Sequence, residues 1–166
     1  NLFALVKFYE TCLDQGVKPI LGAELMVSCD ESGISGRVVA LARNRAGYSN
    51  LIALISSSYT SSENRGVILE RDFFAHKEGL IVLSGGVGGH LWNELNNDDQ
   101  INAIARARRW RENFGDDYFL EITRTGRENE EQNLRRALTV ASDLDIAVVA
   151  TNDVCFSAAE DFEAHE

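Results

Sequence analysis

From Leu80 to Ala150 the chain alternates between short apolar runs and longer segments of helical periodicity, which limits its fold more than any other feature. Leu80-Ile81-Val82-Leu83-Ser84 reads as a buried strand, and Asp98 to Phe114 as a long helix ended by Gly115. Tyr118 to Ile122 is a further strand. The capping-box spacing Thr125-Gly126-Arg127-Glu128 opens a helix to about Leu144, and Ile146 to Ala150 has the length and β-branched content of a buried strand. Strands and helices alternating in this way form a parallel sheet or barrel through right-handed crossovers, so the fold class is α/β. No internal repeat or linker interrupts the pattern, which predicts one domain over 1–166.

The first half is less regular. Asn1 is placed to cap a helix from Leu2 to about Gln15, with Leu2, Leu5, Val6, Tyr9, Cys12 and Leu13 as its apolar stripe and Gly16 as its stop. Ile20 to Val27 is a strand that is apolar on both faces except at Glu24, and such strands are usually covered on both sides. The polar turn Asp30 to Gly36 leads to a second strand, Arg37 to Ala42, and the two can pair as a hairpin. A helix starts at Ser49 or Asn50, and a short one runs from Glu70 to Lys77. The first and last elements lack sequence neighbours to pair with, which predicts that the fold continues beyond both ends.

Composition sets the outer bounds. With 45% hydrophobic residues and a single Pro among 166 residues, the chain is an ordered globular type with a sizeable core. Its net charge of −10 argues against this segment gripping a nucleic-acid backbone. Arg106, Arg108, Arg109 and Arg111, the one dense basic cluster, spread around a helix and read as a solvated face. Three Cys with no paired spacing fit a reducing compartment, and no apolar run approaches membrane-span length, so the expected location is cytoplasmic.

Two carboxylates stand out. Glu24 interrupts an apolar strand, where it needs a cation, a hydrogen-bond donor or a metal, or else a proton; an Arg or Lys partner is the commonest solution. Asp153 follows the last strand, where α/β proteins gather ligands, with Cys155 two residues on. That pair is either half of a soft metal site or an Asx-type turn beside a small buried thiol. Gly85-Gly86-Val87-Gly88-Gly89 has neither the Walker nor the dinucleotide spacing and reads as a permissive turn. His76, His90 and His165 are isolated and read as surface or capping residues. Ser84 has no base partner cued nearby.

Several stretches taken in order resemble one family. They are Leu5-Val6-Lys7-Phe8-Tyr9, Gly16 to Glu24, Gly47-Tyr48-Ser49-Asn50-Leu51, Glu78 to Gly86, Tyr118 to Glu121, Arg124 to Arg127, Val149 to Val154 and Asp161 to Glu166. The chain resembles the polymerase-and-histidinol-phosphatase (PHP) domain carried by bacterial replicative DNA polymerase III alpha subunits, in its proteobacterial form. The resemblance implies part of a distorted seven-stranded (β/α) barrel, TIM-barrel-like, within a much larger DNA-directed DNA polymerase. In members with a working site, His, Asp, Glu and Cys ligands bind divalent metals and support phosphoester hydrolysis.

Carried over residue by residue, the ligand positions of that family fall on Glu24, Tyr59, Gly86, Asp153 and Cys155. The ligand type is kept only at Glu24 and Asp153. Gly86 offers no donor, a neutral phenol at Tyr59 is a poor ligand, and Cys155 suits only a soft metal. The resemblance therefore implies a degenerate site with no metal expected in this segment. It also implies an interaction module that supports the polymerase body and receives the separate proofreading exonuclease subunit. DNA would be met through other domains, and Mg would serve the parent polymerase's own active site. The alternative is an active Zn- or Mn-dependent phosphoesterase (a pyrophosphatase or 3′-end exonuclease), with Arg124 and Arg127 as phosphate contacts. A stand-alone PHP phosphatase is a third reading.

Overall fold

The structure, a computed structural model, describes residues 2–30, 33–60, 66–126, 130–152 and 154. Six strands form one mixed sheet: β1 (Gly22–Ser28), β2 (Ser35–Ala42), β3 (Val67–Leu69), β4 (Leu80–Leu83), β5 (Tyr118–Ile122) and β6 (Val148–Ala150). Their spatial order is β3-β1-β2-β4-β5-β6. β1 and β2 make the antiparallel hairpin read from the sequence, with Glu24 opposite Val39 and Met26 opposite Arg37. β2 is antiparallel to β4, whereas β4, β5 and β6 run parallel, as their alternation with helices requires. β3, absent from the sequence reading, adds in parallel to β1. β3 and β6 are the two edges among the described residues, which form a six-stranded mixed sheet of the expected α/β class.

The helices are α1 (Leu5–Asp14), α2 (Arg45–Thr60), α3 (Glu70–Ala75), α4 (Trp92–Asn96), α5 (Gln100–Phe114) and α6 (Glu130–Leu144). One face of the sheet carries Leu25, Val27, Val38, Ala40, Val82 and Leu120. These join Leu51 and Leu54 of α2, Phe73 of α3, Trp110 of α5 and Val140 of α6 in a single buried cluster. Phe73, Phe74, Trp110 and Phe114 meet at ring-centroid distances of 5.0–6.1 Å, mostly tilted or edge-on, the arrangement aromatic quadrupoles favour.

Several expectations change here. β1 is covered on one face only: its residues alternate between buried and exposed, and Glu24 and Met26 lie on the open side. α1 starts after Ala4, which makes no side-chain cap, and Asn1 is outside the described residues. None of its apolar stripe is buried, because α2, α3, α5 and α6 already fill the core face. α2 begins before the expected Ser49 because Asn44 accepts the Gly47 N–H at 3.0 Å and so caps the helix earlier. β6 is not a buried strand: Val148 is exposed, since β6 pairs only with β5 among the described residues, and burial reaches only Ile146. The short helix α4 was not read from the sequence at all.

The glycine loop after β4 does adopt a permissive turn, with positive φ at Gly85, Gly86 and Gly88. Its course has a packing reason as well. The Arg37 N–H donates to Gly88 O and the His90 N–H donates to Arg37 O, so the loop lies directly against β2. A Cβ at Gly85 would overlap Arg37 O.

Candidate functional site

The open face of the sheet carries a polar cleft beyond the carboxyl ends of β4 and β5. Glu24, Arg37, Glu121 and Thr151 supply its polar groups, with the glycine loop and Thr123 alongside. Strand alternation puts Glu24 and Arg37 on this face, because residues opposite each other in an antiparallel pair point the same way. Arg37 Nη1 donates to Glu24 Oε2 at 3.3 Å, and Arg37 Nη2 donates to Val87 O at 2.8 Å. Across the cleft, Glu121 Oε2 accepts the Gly85 N–H at 3.0 Å and Oε1 accepts from Thr151 Oγ1 at 2.5 Å. Ser84 has a local task, its hydroxyl accepting the Glu121 N–H at 2.9 Å.

The residues singled out from the sequence are only partly brought together. Glu24 and Gly86 line this one cleft. Tyr59 does not: it is 65% exposed at the end of α2 and lines an apolar groove with Leu2, Phe3 and Ile52. Arg124, half of the suggested phosphate contact, is exposed and paired with Glu131, Nε to Oε1 at 2.6 Å. Asp153, Cys155 and Arg127 lie outside the described residues, as do Glu128 and His165. Arg37 and Glu121 were missed. Glu121 occupies the strand position whose side chain must share a face with Phe119, a signal that period-two reading offered.

A second charged cluster lies under the glycine loop, on the core side. His90 is 1% exposed and Arg106 5%, so neither is the surface residue the sequence suggested. Arg106 Nε donates to Glu70 Oε1 at 2.9 Å, and Nη1 donates to Glu94 Oε1 at 3.2 Å and to His90 O at 2.5 Å. Its Nη2 donates to Ile34 O at 3.2 Å. Glu70 also accepts from Trp110 Nε1 at 3.1 Å, and His90 Nε2 lies 2.8 Å from the Tyr118 hydroxyl. Burial, then the Arg106 charge, holds the His90 imidazole well below its ordinary pKa, so it is neutral. Burial raises the Tyr118 phenol, with Arg106 opposing and Glu70 adding to the rise.

At the opening of α6, the carboxylate of Glu130 ties down the turn before the helix, while Glu128 of the expected capping box lies outside the described residues. The Glu130 carboxylate accepts the N–H groups of Thr125 and Gly126, each at 2.7 Å. Burial pushes this carboxyl up, but those two N–H groups and the hydroxyls of Thr125 and Thr123 outweigh it and leave it lowered.

A PHP-domain family model matches residues 1–125, which include β1 to β5 and both sides of the cleft. The chain belongs to the PHP-domain family. Its whole length is similar to DNA polymerase III subunit alpha of Pseudomonas aeruginosa, at 41% identity over 100% of this chain and 14% of that protein. The corresponding protein of Vibrio cholerae is 43% identical over 100% of this chain and 15% of its own length. That of Escherichia coli K12 is 42% identical with the same coverage, 100% and 15%. This PHP chain thus spans about a seventh of the length of the curated relatives it matches.

Metal-binding members of the PHP family need several donors around one point, and the described donors of this PHP chain do not fit that requirement. Glu24 already holds a guanidinium, Gly86 has no side chain, and Tyr59 opens on another groove. Both oxygens of Glu121 accept protein hydrogen bonds. Among the described residues no three His, Cys, Asp or Glu side chains gather closely enough to hold an ion. Nor is any described helix long and apolar enough to cross a membrane.

Proposed function

We propose that this chain is the PHP portion of a proteobacterial DNA polymerase III alpha subunit and works there without chemistry of its own. It supports the polymerase body and docks the proofreading exonuclease subunit, while DNA contact and Mg-dependent nucleotidyl transfer belong to other parts of the same cytoplasmic polypeptide. Similarity along the whole chain to proteins of which it spans about a seventh supports this origin over a stand-alone phosphatase. The seven-stranded barrel belongs to the same reading: β1 to β6 would form most of its wall, and the open face carrying Glu24 and Glu121 would be its interior.

The observation that carries the non-catalytic reading is the cleft itself. A hydrolytic metal site polarises phosphoryl oxygens and delivers hydroxide through open coordination positions. Here the carboxylate kept at Glu24 is turned to an arginine, and the neighbouring ligand position is a glycine. Two measurements on the full-length protein test the proposal. Elemental analysis after purification without chelator should give less than roughly 0.1 equivalent of Zn or Mn attributable to this domain. Exonuclease-subunit binding by surface plasmon resonance should be lost when the domain is deleted. Two or more bound transition-metal ions, lost on Asp153→Ala, would replace this reading with the metal-dependent phosphoesterase. Unchanged exonuclease binding would remove the docking role.

A further inference from the structure

Besides the carboxylates of Glu24 and Glu121, the cleft contains a cation, Arg37. Arg37 is fixed there twice over, by its guanidinium to Glu24 and Val87 O and by its backbone to the glycine loop. A guanidinium is a fixed positive charge with a planar fork of donors. We propose that Arg37 excludes divalent cations from this cleft, occupying the place beside Glu24 that an ion would need. The inference rests on the degenerate-site reading above and assigns it to one residue.

The geometry supports this assignment. An ion bound to a carboxylate sits about 2 Å from its oxygen. Glu24 Oε2 lies 3.3 Å from Arg37 Nη1, so an ion there would face the guanidinium at roughly 4 Å, with charges of the same sign. Turning Arg37 away would break its bond to Val87 O at 2.8 Å and loosen the loop that forms the cleft wall. Glu121 is held on the far side of the cleft by the Gly85 N–H and the Thr151 hydroxyl, one on each oxygen. Supplying a donor at position 86 alone would therefore not restore metal binding.

Manganese titration followed by the electron paramagnetic resonance of free Mn²⁺ tests this on the full-length protein. Arg37→Met should bind Mn²⁺ at least tenfold more tightly than the native protein, and Arg37→Gln, which keeps a donor for Val87 O, should do the same. Arg37→Lys should stay at the native level, and adding Glu24→Gln to Arg37→Met should abolish the gain. Equal weak binding by the native protein and both neutral variants would overturn the role of Arg37 and leave the degenerate-site reading standing. A gain that survives Glu24→Gln would also overturn it. Tight Mn²⁺ binding by the native protein, lost with Glu24→Gln, would overturn both.

Discussion

Arg106→Met should be among the most destabilising single substitutions in this protein. Arg106 joins Glu70, 0% exposed, to Glu94, 7% exposed. Removing it leaves Glu70 with the Trp110 indole N–H and the more distant Arg109 Nη1, 3.4 Å away. Glu94 fares worse. Arg106 is its side-chain donor on Oε1, and Oε2 has no hydrogen-bond partner among the described residues. An uncompensated buried charge costs about 3–5 kcal/mol, and the carbonyl of His90, which loses its Arg106 donor, adds about 1 kcal/mol. A loss near 5 kcal/mol is a large share of the ~5–15 kcal/mol that holds a domain folded.

Urea denaturation followed by Trp fluorescence measures this directly, since Trp110 packs 4.6 Å from His90 within the same cluster. For a domain of this size the melting temperature should fall by about 10–20 °C, at ~2–4 °C per kcal/mol. The decisive comparison is a triple variant, Arg106→Met with Glu70→Leu and Glu94→Leu. Replacing a whole buried ionic group with apolar side chains is often neutral, so the triple should recover more than half of the loss. A single variant within 1 kcal/mol of native, or a triple less stable than the single, would refute the reasoning.

Two further perturbations follow from titration. His90 is neutral in the folded protein and its pKa is lowered, so the unfolded chain binds the extra proton first as pH falls. Stability is therefore lost as pH drops below the ordinary imidazole value of 6.5, by up to about 1.4 kcal/mol per pH unit. His90→Phe should flatten that part of the profile between pH 6.5 and 5 in chemical denaturation, and an unchanged slope would show that His90 is not the group responsible. Glu130 shifts downward too, but as a carboxylate its stabilisation is present above the ordinary glutamate range and lost as pH falls through the lowered value. Glu130→Gln should weaken amide protection of Thr125 and Gly126 in hydrogen exchange at neutral pH and remove that acid-side loss, while unchanged protection would exclude that role.

The sequence was most legible in the order of its elements. The β1–β2 hairpin follows from two apolar runs joined by a polar turn, although the one-sided burial of β1 did not, and the parallel run β4-β5-β6 follows from strands alternating with helices. Legibility failed where a residue's state depends on a distant partner. Arg106 looks solvated in a cluster of arginines, and its anchor Glu70 lies 36 positions away in a segment that reads as a charged surface helix. His90 was misread for the same reason, its partner Tyr118 being 28 positions distant. Periodicity shows which side of a helix is apolar but not whether anything covers it, hence the open stripe of α1. At the cleft, Glu24 was conspicuous because it breaks an apolar run. Arg37 and Glu121 were not, since a half-open strand is expected to carry polar residues on alternate positions.

The two charged clusters make one mechanical unit through the glycine loop. Arg106 holds the loop from below by its bond to His90 O, and Arg37 holds it from above through Val87 O. The backbone of Arg37 spans the two, bonded to Gly88 O on one side and to the His90 N–H on the other. Glu121 adds a third anchor at the Gly85 N–H. A loop of this composition would be free to move without such ties, since glycine gives up more conformational entropy on ordering than any other residue. Ordering it with an internal arginine on each side does by fixed charge what a bound metal does by coordination. A cleft held in this way keeps its shape without a bound ion, as the docking role proposed above would require.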